Sequence, residues 1–356
     1  MSKEQTIQIN TAVAIYDDKI DILKFILSLL VVAIHTGLFP QVLYPWLRIA
    51  VPLFFIISAY FFFSKLNGIC DNSAREKIVK KFIFRNLSLY LFWLTCFFPF
   101  VIYYRKELIF SHGISGIIPM LIKMLLTGNT FTGAWYLVST VIASWILAMV
   151  IPKISTKLLL ALSIPIYVII TLTSSYSPLL ANNGMVMSVL DAYRKIFGEP
   201  TLSFPVALVW MSWGKAFADG LLFRKKNQNV WLCIITAVLL YLEWRGVKIL
   251  FGTYSNDCYF MLLPFCVGLF GLVLSMKGVS VPFAGDLRRC STVIYVVHGV
   301  ARTVLNHFFQ QVLHLKDAPL LVFSAASLVS IFIYLLIKKL RAKKTSGIFC
   351  LLRYAY

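Results

Sequence analysis

Acid is what this chain lacks most: 14 aspartates and glutamates against 34 lysines and arginines, with charged residues of both signs making up only 13% of 356 residues. A water-soluble domain of this length needs a far more charged surface, so a globular soluble class is excluded. Seven cysteines are an odd number. Most, such as Cys96, Cys233, Cys266 and Cys290, fall inside or at the ends of apolar runs without metal-ligand spacing, so neither a disulfide framework nor a metal site is implied. Internal repeats of the inverted kind, low-complexity stretches and linkers to a second domain are also missing. Residues 1–19 are polar and partly acidic, unlike a cleaved leader, and the first apolar run is expected to stay as a permanent span.

What remains is hydrocarbon, 60% of the residues, with 15% aromatic. Apolar runs suit spans at 20–38, 47–65, 83–103, 133–151, 158–173, 203–223, 229–244, 256–275, 291–312 and 319–337. The run at 113–127 is shorter, carries Lys123, and reads as a re-entrant or interfacial helix, with an eleventh span as the alternative. The expected fold is therefore all-α, a polytopic transmembrane helical bundle of about ten spans, possibly eleven. It divides into a cytoplasmic segment 1–19, a membrane domain 20–340 and a basic cytoplasmic tail 341–356. Positive charge collects in alternate loops: Lys65 to Arg85, Lys153 and Lys157, Arg224 to Lys226, Lys277 with Arg288 and Arg289, and the tail from Lys338 through Lys344. That side is expected to be cytoplasmic, together with both termini. A net charge of +20 placed this way suits anionic lipid headgroups rather than nucleic acid, for which no base-reading surface is present.

Charged and imidazole side chains inside a span cost on the order of several kcal/mol unless they face a polar cavity, so each is a functional candidate. In the first span, Lys24 near one end and His35 near the other are eleven residues apart. That spacing separates them by about 16 Å along a helix and returns them to nearly one face, so they are expected to look into one cavity. An imidazole acts as a base near neutral pH, and a cation holds an anion. Arg85, entering the third span, reads equally as an anchor or a phosphate contact. Arg48 begins the second span on the far side, where Pro52 and Ser58 suit helix packing. Trp135 and Tyr136 suit an aromatic belt, Tyr193 and Arg194 precede the sixth span, Lys215 lies within that span, and His298 within the ninth.

The order of these blocks resembles the acyltransferase 3 family of membrane acyltransferases. A basic residue, ten positions and a histidine run from Lys24 to His35. A block similar to R-x-x-V-P-x-F-F-x-x-S-G-Y runs from Arg48 to Tyr60, and S-x-x-x-Y-x-x-H from Ser291 to His298, with Arg85, the WYL at Trp135 and the Tyr193-Arg194 pair between. The nearest subgroup in pattern includes polysaccharide O-acetyltransferases and the membrane portion of vancomycin-resistance serine racemases. Lys24, Ala59 and Gly299 stand where many members have Arg, Gly and Pro.

The resemblance implies transfer of an acyl group, usually acetyl, from cytoplasmic acetyl-CoA, without a metal, to a hydroxyl of a cell-envelope polysaccharide or lipid-linked sugar beyond a bacterial cytoplasmic membrane. His35 would be the general base or, as the lesser alternative, carry the acyl group. Lys24, Arg85 and Lys215 would bind the donor, and Arg48, Trp135, Tyr136, Tyr193, Arg194 and His298 would serve the acceptor side. A carrier or sensor without chemistry, for a solute such as an amino acid, is the competing class, and an inactive scaffold a third.

Overall fold

A computed structural model describes residues 17–110, 113–222, 225–252, 257–315, 318–342 and 347–356, with the side chains of 114 and 347–349 left aside. Arg224, Lys343, Lys344 and residues 1–16, which entered the charge argument above, lie outside the described residues. Among those described, every regular element is helical: α1 (Asp18–Thr36), α2 (Tyr44–Leu47), α3 (Ala50–Leu66), α4 (Asn72–Cys96), α5 (Phe98–Phe110), α6 (Gly113–Thr127) and α7 (Ala134–Val150). Then follow α8 (Thr156–Leu172), α9 (Gly184–Phe197), α10 (Phe204–Ala218), α11 (Lys226–Phe251), α12 (Leu262–Ser275), α13 (Ala284–Gln311) and α14 (Pro319–Ala342).

Helices start where a short polar residue satisfies the first unpaired backbone amides. The Asp17 carboxylate accepts from Lys19 N at 3.0 Å to open α1, and Asp71 accepts from Ser73 N and Ala74 N at 3.1 and 3.0 Å to open α4. Asn183 does the same for α9, accepting from Val186 N at 3.1 Å. Gly37, left-handed at φ 70°, closes α1 two residues after His35.

α3 is apolar around its circumference, and Phe55, Ile56, Ile57 and Ala59 are fully buried, as expected of a helix enclosed by others. It packs against α10, α1, α4, α7 and α12, and α1 packs in turn against α13 and α14. The α3–α10 contact depends on two small residues: a Cβ added at Gly214 would lie 2.5 Å from Ile56 O and 2.6 Å from Ala59 Cβ. The close approach at Ala59 is thus supplied by a glycine on the opposite helix. At the rim, α11 and α14 present bare hydrocarbon outward, including Ile234, Leu242, Leu328 and Phe332. Among the described residues, three segments are long and apolar enough to cross a bilayer unaided, Gln41–Leu66, Lys226–Phe251 and Pro319–Ala342. Outward-facing hydrocarbon on this scale is that of a multi-pass membrane protein.

The run expected to span at 83–103 is not one straight helix. α4 starts at Asn72, so Arg85 rides mid-helix, and at Phe97 the chain turns by 82° into α5. Pro99 explains the break: it has no amide to donate to Thr95 O, and its ring clashes with that carbonyl. The segment 113–127 is helical, with Pro119 inside it, and the 174–202 connection contains α9 rather than only loop. Residues 347–354 form a 3-10 helix packed on α4 and α14, with the Trp93 indole donating to Ala355 O at 3.0 Å.

Candidate functional site

At the Lys24 end of α1 lies a cavity of about 510 Å3 between α1, α3, α4 and α13. Its lining holds seven basic side chains, Lys24, Lys65, Lys81, Arg85, Arg288, Arg289 and Arg341, against one carboxylate, Asp21. Asp21 is buried and receives Arg288 Nη1 at 3.0 Å. Lys24 Nζ sits 5.2 Å over the Phe61 ring, which holds the ammonium without neutralising it. A concave surface so unbalanced in sign concentrates anions.

The Lys24 end of α1 is tied down by several contacts. Asp18 accepts from Val281 N at 2.8 Å and Lys19 donates to Met276 O at 2.8 Å, fixing α1 to the α12–α13 connection. In the polar first turn of α13, Asp286 receives Tyr334 Oη at 2.6 Å, Lys338 Nζ at 2.7 Å and Arg289 Nη1 at 3.2 Å. The Lys338 hydrogen bond, followed by that from Tyr334, holds the Asp286 carboxyl below the usual carboxylate range.

At the other end of α1, His35 lines a second cavity of about 80 Å3 with Arg48, Trp135, Thr201, Trp210 and Asp257. Arg48 Nη1 is paired with Asp257 Oδ1 at 2.6 Å. The His35 ring lies 5.1 Å from the ring of His298, which is buried on α13. His298 Nδ1 is 2.6 Å from Tyr295 O, and a carbonyl only accepts, so Nδ1 bears the proton. Its Nε2 is buried without a partner. That nitrogen therefore keeps its lone pair uncommitted, on a ring packed against that of His35. Arg302 Nη1 donates to His35 O at 2.8 Å, tying α1 to α13 at this end as well.

The two cavities are separate, which corrects the expectation of one cavity shared by Lys24 and His35. Ser58 lines the inner one and shares a hydrogen bond of 3.0 Å with Tyr136 Oη, while Phe55, 4.5 Å from the Tyr136 ring, lines the outer one. Phe54 and Tyr295 complete this aromatic partition, with Tyr295 5.2 Å from Tyr136. Helical spacing along α1 fixes which way two side chains project, not what α3, α7 and α13 insert between them.

The partition rests on a tight turn before α7. A Cβ at Gly299 of α13 would lie 2.2 Å from Thr132 Cβ, so only glycine lets this turn approach so closely. Gly133 follows at φ 89° and accepts from the Tyr295 hydroxyl at 3.4 Å. α13 continues unbroken through Gly299, and the residue's importance is in this contact rather than in a bend.

Three candidates stand elsewhere. Lys215 is buried in an ion pair with Asp219, which also receives Thr156 Oγ1 at 2.6 Å and Asn67 Nδ2 at 3.1 Å, and it lines neither of these cavities. Tyr193 shares a hydrogen bond of 2.8 Å with Ser203, and Arg194 pairs with Glu199 at 3.1 Å and Asp191 at 3.4 Å. Both hold α9 to the 200–203 turn and line neither cavity. Conversely, Arg288, Arg289, Lys81 and Arg341 join the inner cavity although their sequence setting suggests only loop anchors. Their signal was local density of charge, which orientation alone already explained.

A bundle with bare hydrocarbon at its rim, a strongly cationic cavity at one end and paired imidazoles at the other belongs to the class of multi-pass membrane proteins with a buried polar site. The chain is a member of the acyltransferase 3 family, whose acyltransferase domain matches residues 17–339. It is 24% identical over 362 aligned positions to an amino-acid racemase of Enterococcus faecalis, covering 91% of this chain and 47% of that protein. It is 27% identical over 158 positions to a serine/alanine racemase of Enterococcus gallinarum, covering 42% of this chain and 22% of that protein. The chain thus spans less than half the length of these curated relatives. No solved structure matches it.

Proposed function

We propose that the protein is an O-acyltransferase that passes an acyl group, acetyl in the first instance, from cytoplasmic acyl-CoA to a hydroxyl of a cell-envelope glycan on the far side of a bacterial cytoplasmic membrane. In this reading the chain crosses the bilayer ten times, with both termini and the basic cavity on the cytoplasmic side. The observation that carries it is the pairing of a polyanion-suited cavity at one end of α1 with His35 and His298 at the other. Coenzyme A is a polyanion on an extended arm. Lys24, Arg85, Arg288 and Arg289 suit its phosphates, and the arm then points along α1 towards the partition.

The chemistry needs one proton acceptor and one group facing the carbonyl oxygen. His35 removes the proton of the acceptor hydroxyl as its oxygen attacks the thioester carbonyl carbon. The tetrahedral intermediate then collapses with cleavage of the carbon–sulfur bond, and the proton returns to the departing thiolate. His298, whose ring packs against that of His35 and whose Nε2 has no partner, suits stabilising the protonated form of His35 if the two rings come to share a proton. Arg48, which lines the His35 cavity, and the Tyr136 hydroxyl, which the partition carries, are the candidates for the developing oxyanion. The thioester reaches His35 only if the partition parts, and the aromatic side chains of Phe55 and Tyr136 are its movable elements. Lys24 supplies charge but not the paired donors of an arginine, so the donor phosphates are held less directionally than in members with Arg.

The decisive test is transfer of label from radiolabelled acetyl-CoA by the purified chain: His35→Ala abolishes it, and wild-type transfer by that variant removes His35 from the chemistry. A second reading is favoured by one observation, that the matched relatives are racemases. In it the chain is a non-catalytic carrier or sensor of a small solute such as an amino acid, and the envelope polymer acquires no label from acetyl-CoA.

A further inference from the structure

Arginine carries its N–H donors on a long, rotatable stem, so it stabilises charge appearing in a transition state only if something else fixes its plane. Arg48 follows α2 and lines the His35 cavity. Its Nη1 is held by Asp257, while its Nε is buried without a partner. A buried donor left unpaired is costly, but it needs no rearrangement when an anion forms beside it.

Asp257 precedes α12 and belongs to no helix, so its place has to be set by the residues that follow. Cys258, which lines the same cavity, and Tyr259 are buried. Tyr259 O accepts from the Tyr167 hydroxyl of α8 at 2.7 Å. Phe260 N and Met261 N donate to the two carboxylate oxygens of Glu243 on α11, at 2.7 and 2.8 Å, and Tyr176 Oη donates to the same carboxylate at 2.8 Å. Met261 opens α12 with no side-chain cap, so Glu243 supplies from another helix the acceptors that the local sequence lacks. Glu243 itself lines neither the Lys24 nor the His35 cavity.

The Arg48 side of the ion pair is set on α11 as well. Trp46, two residues before it, donates its indole N–H to Ala237 O at 3.1 Å and stacks on Tyr241 with ring centroids 5.6 Å apart. Ala237, Tyr241 and Glu243 all belong to α11, so one helix holds both partners of the pair in register.

We infer that Glu243 and Asp257 are positioning residues for the proposed transfer: Glu243 fixes the 257–261 segment, Asp257 grips one terminal nitrogen of Arg48, and the Nε–H is left as the set donor for the oxyanion. Neither carboxylate has to touch the reacting atoms, because both act through Arg48. The inference rests on the acyl-transfer reading for what Arg48 does, but the clamp is measurable without turnover. In that reading the donor phosphates sit in the Lys24 cavity, so loosening the clamp is felt in kcat and not in the KM for acetyl-CoA.

The test measures initial rates with radiolabelled acetyl-CoA in inside-out membrane vesicles carrying the full chain, normalised to folded chain. Asp257→Asn and Glu243→Gln are each expected to lower kcat about tenfold or more, with KM for acetyl-CoA within about twofold. Neither lowers kcat further in an Arg48→Ala background, where the group they hold is gone. Asp257→Glu restores part of the rate, and Tyr176→Phe, which removes one of the three bonds to Glu243, gives a smaller loss should the glutamine variant not fold. Without turnover, modification of Arg48 by phenylglyoxal, read by mass spectrometry on the purified chain, speeds up about fivefold or more in both variants. Modification of Arg194, which is paired with Glu199 and Asp191, does not change. Rates per folded chain that stay at the wild-type value, or losses that multiply with that of Arg48→Ala, overturn the inference and leave the enzyme, with Glu243 only a cap for α12. No label transfer by the wild type, with Arg48 still released to phenylglyoxal in both variants, refutes the acyl-transfer reading and leaves the clamp standing.

Discussion

Replacing Gly299 by alanine tests how the partition between the cavities is held. The added Cβ would fall 2.2 Å from Thr132 Cβ, where unstrained carbon contacts lie at about 3.5–4.0 Å, so the turn or α13 has to retreat by more than about 1 Å. Overpacking of this kind costs about 1–3 kcal/mol, offset by up to about 1 kcal/mol from the better helix propensity of alanine. The net loss of stability is therefore at most about 3 kcal/mol. The loss of transfer is expected to be on the order of 100-fold, because the displaced turn leads directly into Trp135 and Tyr136. Thr132→Gly removes the opposing Cβ. In a double-variant cycle, with thermal midpoint in detergent and acetyl transfer as readouts, Gly299→Ala/Thr132→Gly should recover about 1–3 kcal/mol relative to the sum of the single changes. Independent effects, adding within about 0.5 kcal/mol, would show that Gly299 does not set the turn and that the partition is positioned by something else.

Three further outcomes follow from the geometry. Lys24→Ala should raise the donor KM more than Lys24→Arg does with kcat less affected, measured by initial rates against acetyl-CoA; equal and unchanged KM values for both would end the phosphate role. Lys215→Met leaves Asp219, a half-buried carboxylate that keeps its bonds from Thr156 and Asn67, without its cation, and costs less than the about 3–5 kcal/mol of breaking a fully buried pair; thermal stability should fall while the donor KM of the surviving protein holds, and the reverse pattern would return Lys215 to the donor site. The Asp286 carboxyl has a lowered pKa in the folded protein and an ordinary one near 3.9 when unfolded. Its contribution is therefore fully present above about pH 4 and is lost as pH falls through the lower folded value. The thermal midpoints of wild type and Asp286→Asn should differ at neutral pH and converge in acid, and a gap that is constant with pH would show that the shift carries no stability.

The membrane character and the two ends of α1 were legible because each rests on a local property: a run of hydrocarbon, or eleven positions of helix between Lys24 and His35. Pro99 was equally visible, and its consequence for α4 and α5 follows from the missing amide, yet a continuous apolar run from 83 to 103 masked it. Lys215 shows the opposite limit. Four residues from Asp219 on one helix, the pair was readable as self-contained, but an interior lysine suggests function until its partner is seen. The partition was beyond reach, because Phe54, Phe55, Tyr136 and Tyr295 come from three helices and each alone looks like core. The orphaned Nε2 of His298 was hidden for a related reason: it depends on which ring nitrogen the backbone of Tyr295 claims.

The partition also bears on the bilayer itself. A layer of rings joined by the Ser58–Tyr136 hydrogen bond stands between the Lys24 cavity and the His35 cavity. In the proposed transfer this layer has to part once per turnover, so the motion that brings the thioester to His35 also lifts, for that moment, the barrier between the two faces, and a short opening is what keeps the accompanying leak of protons small.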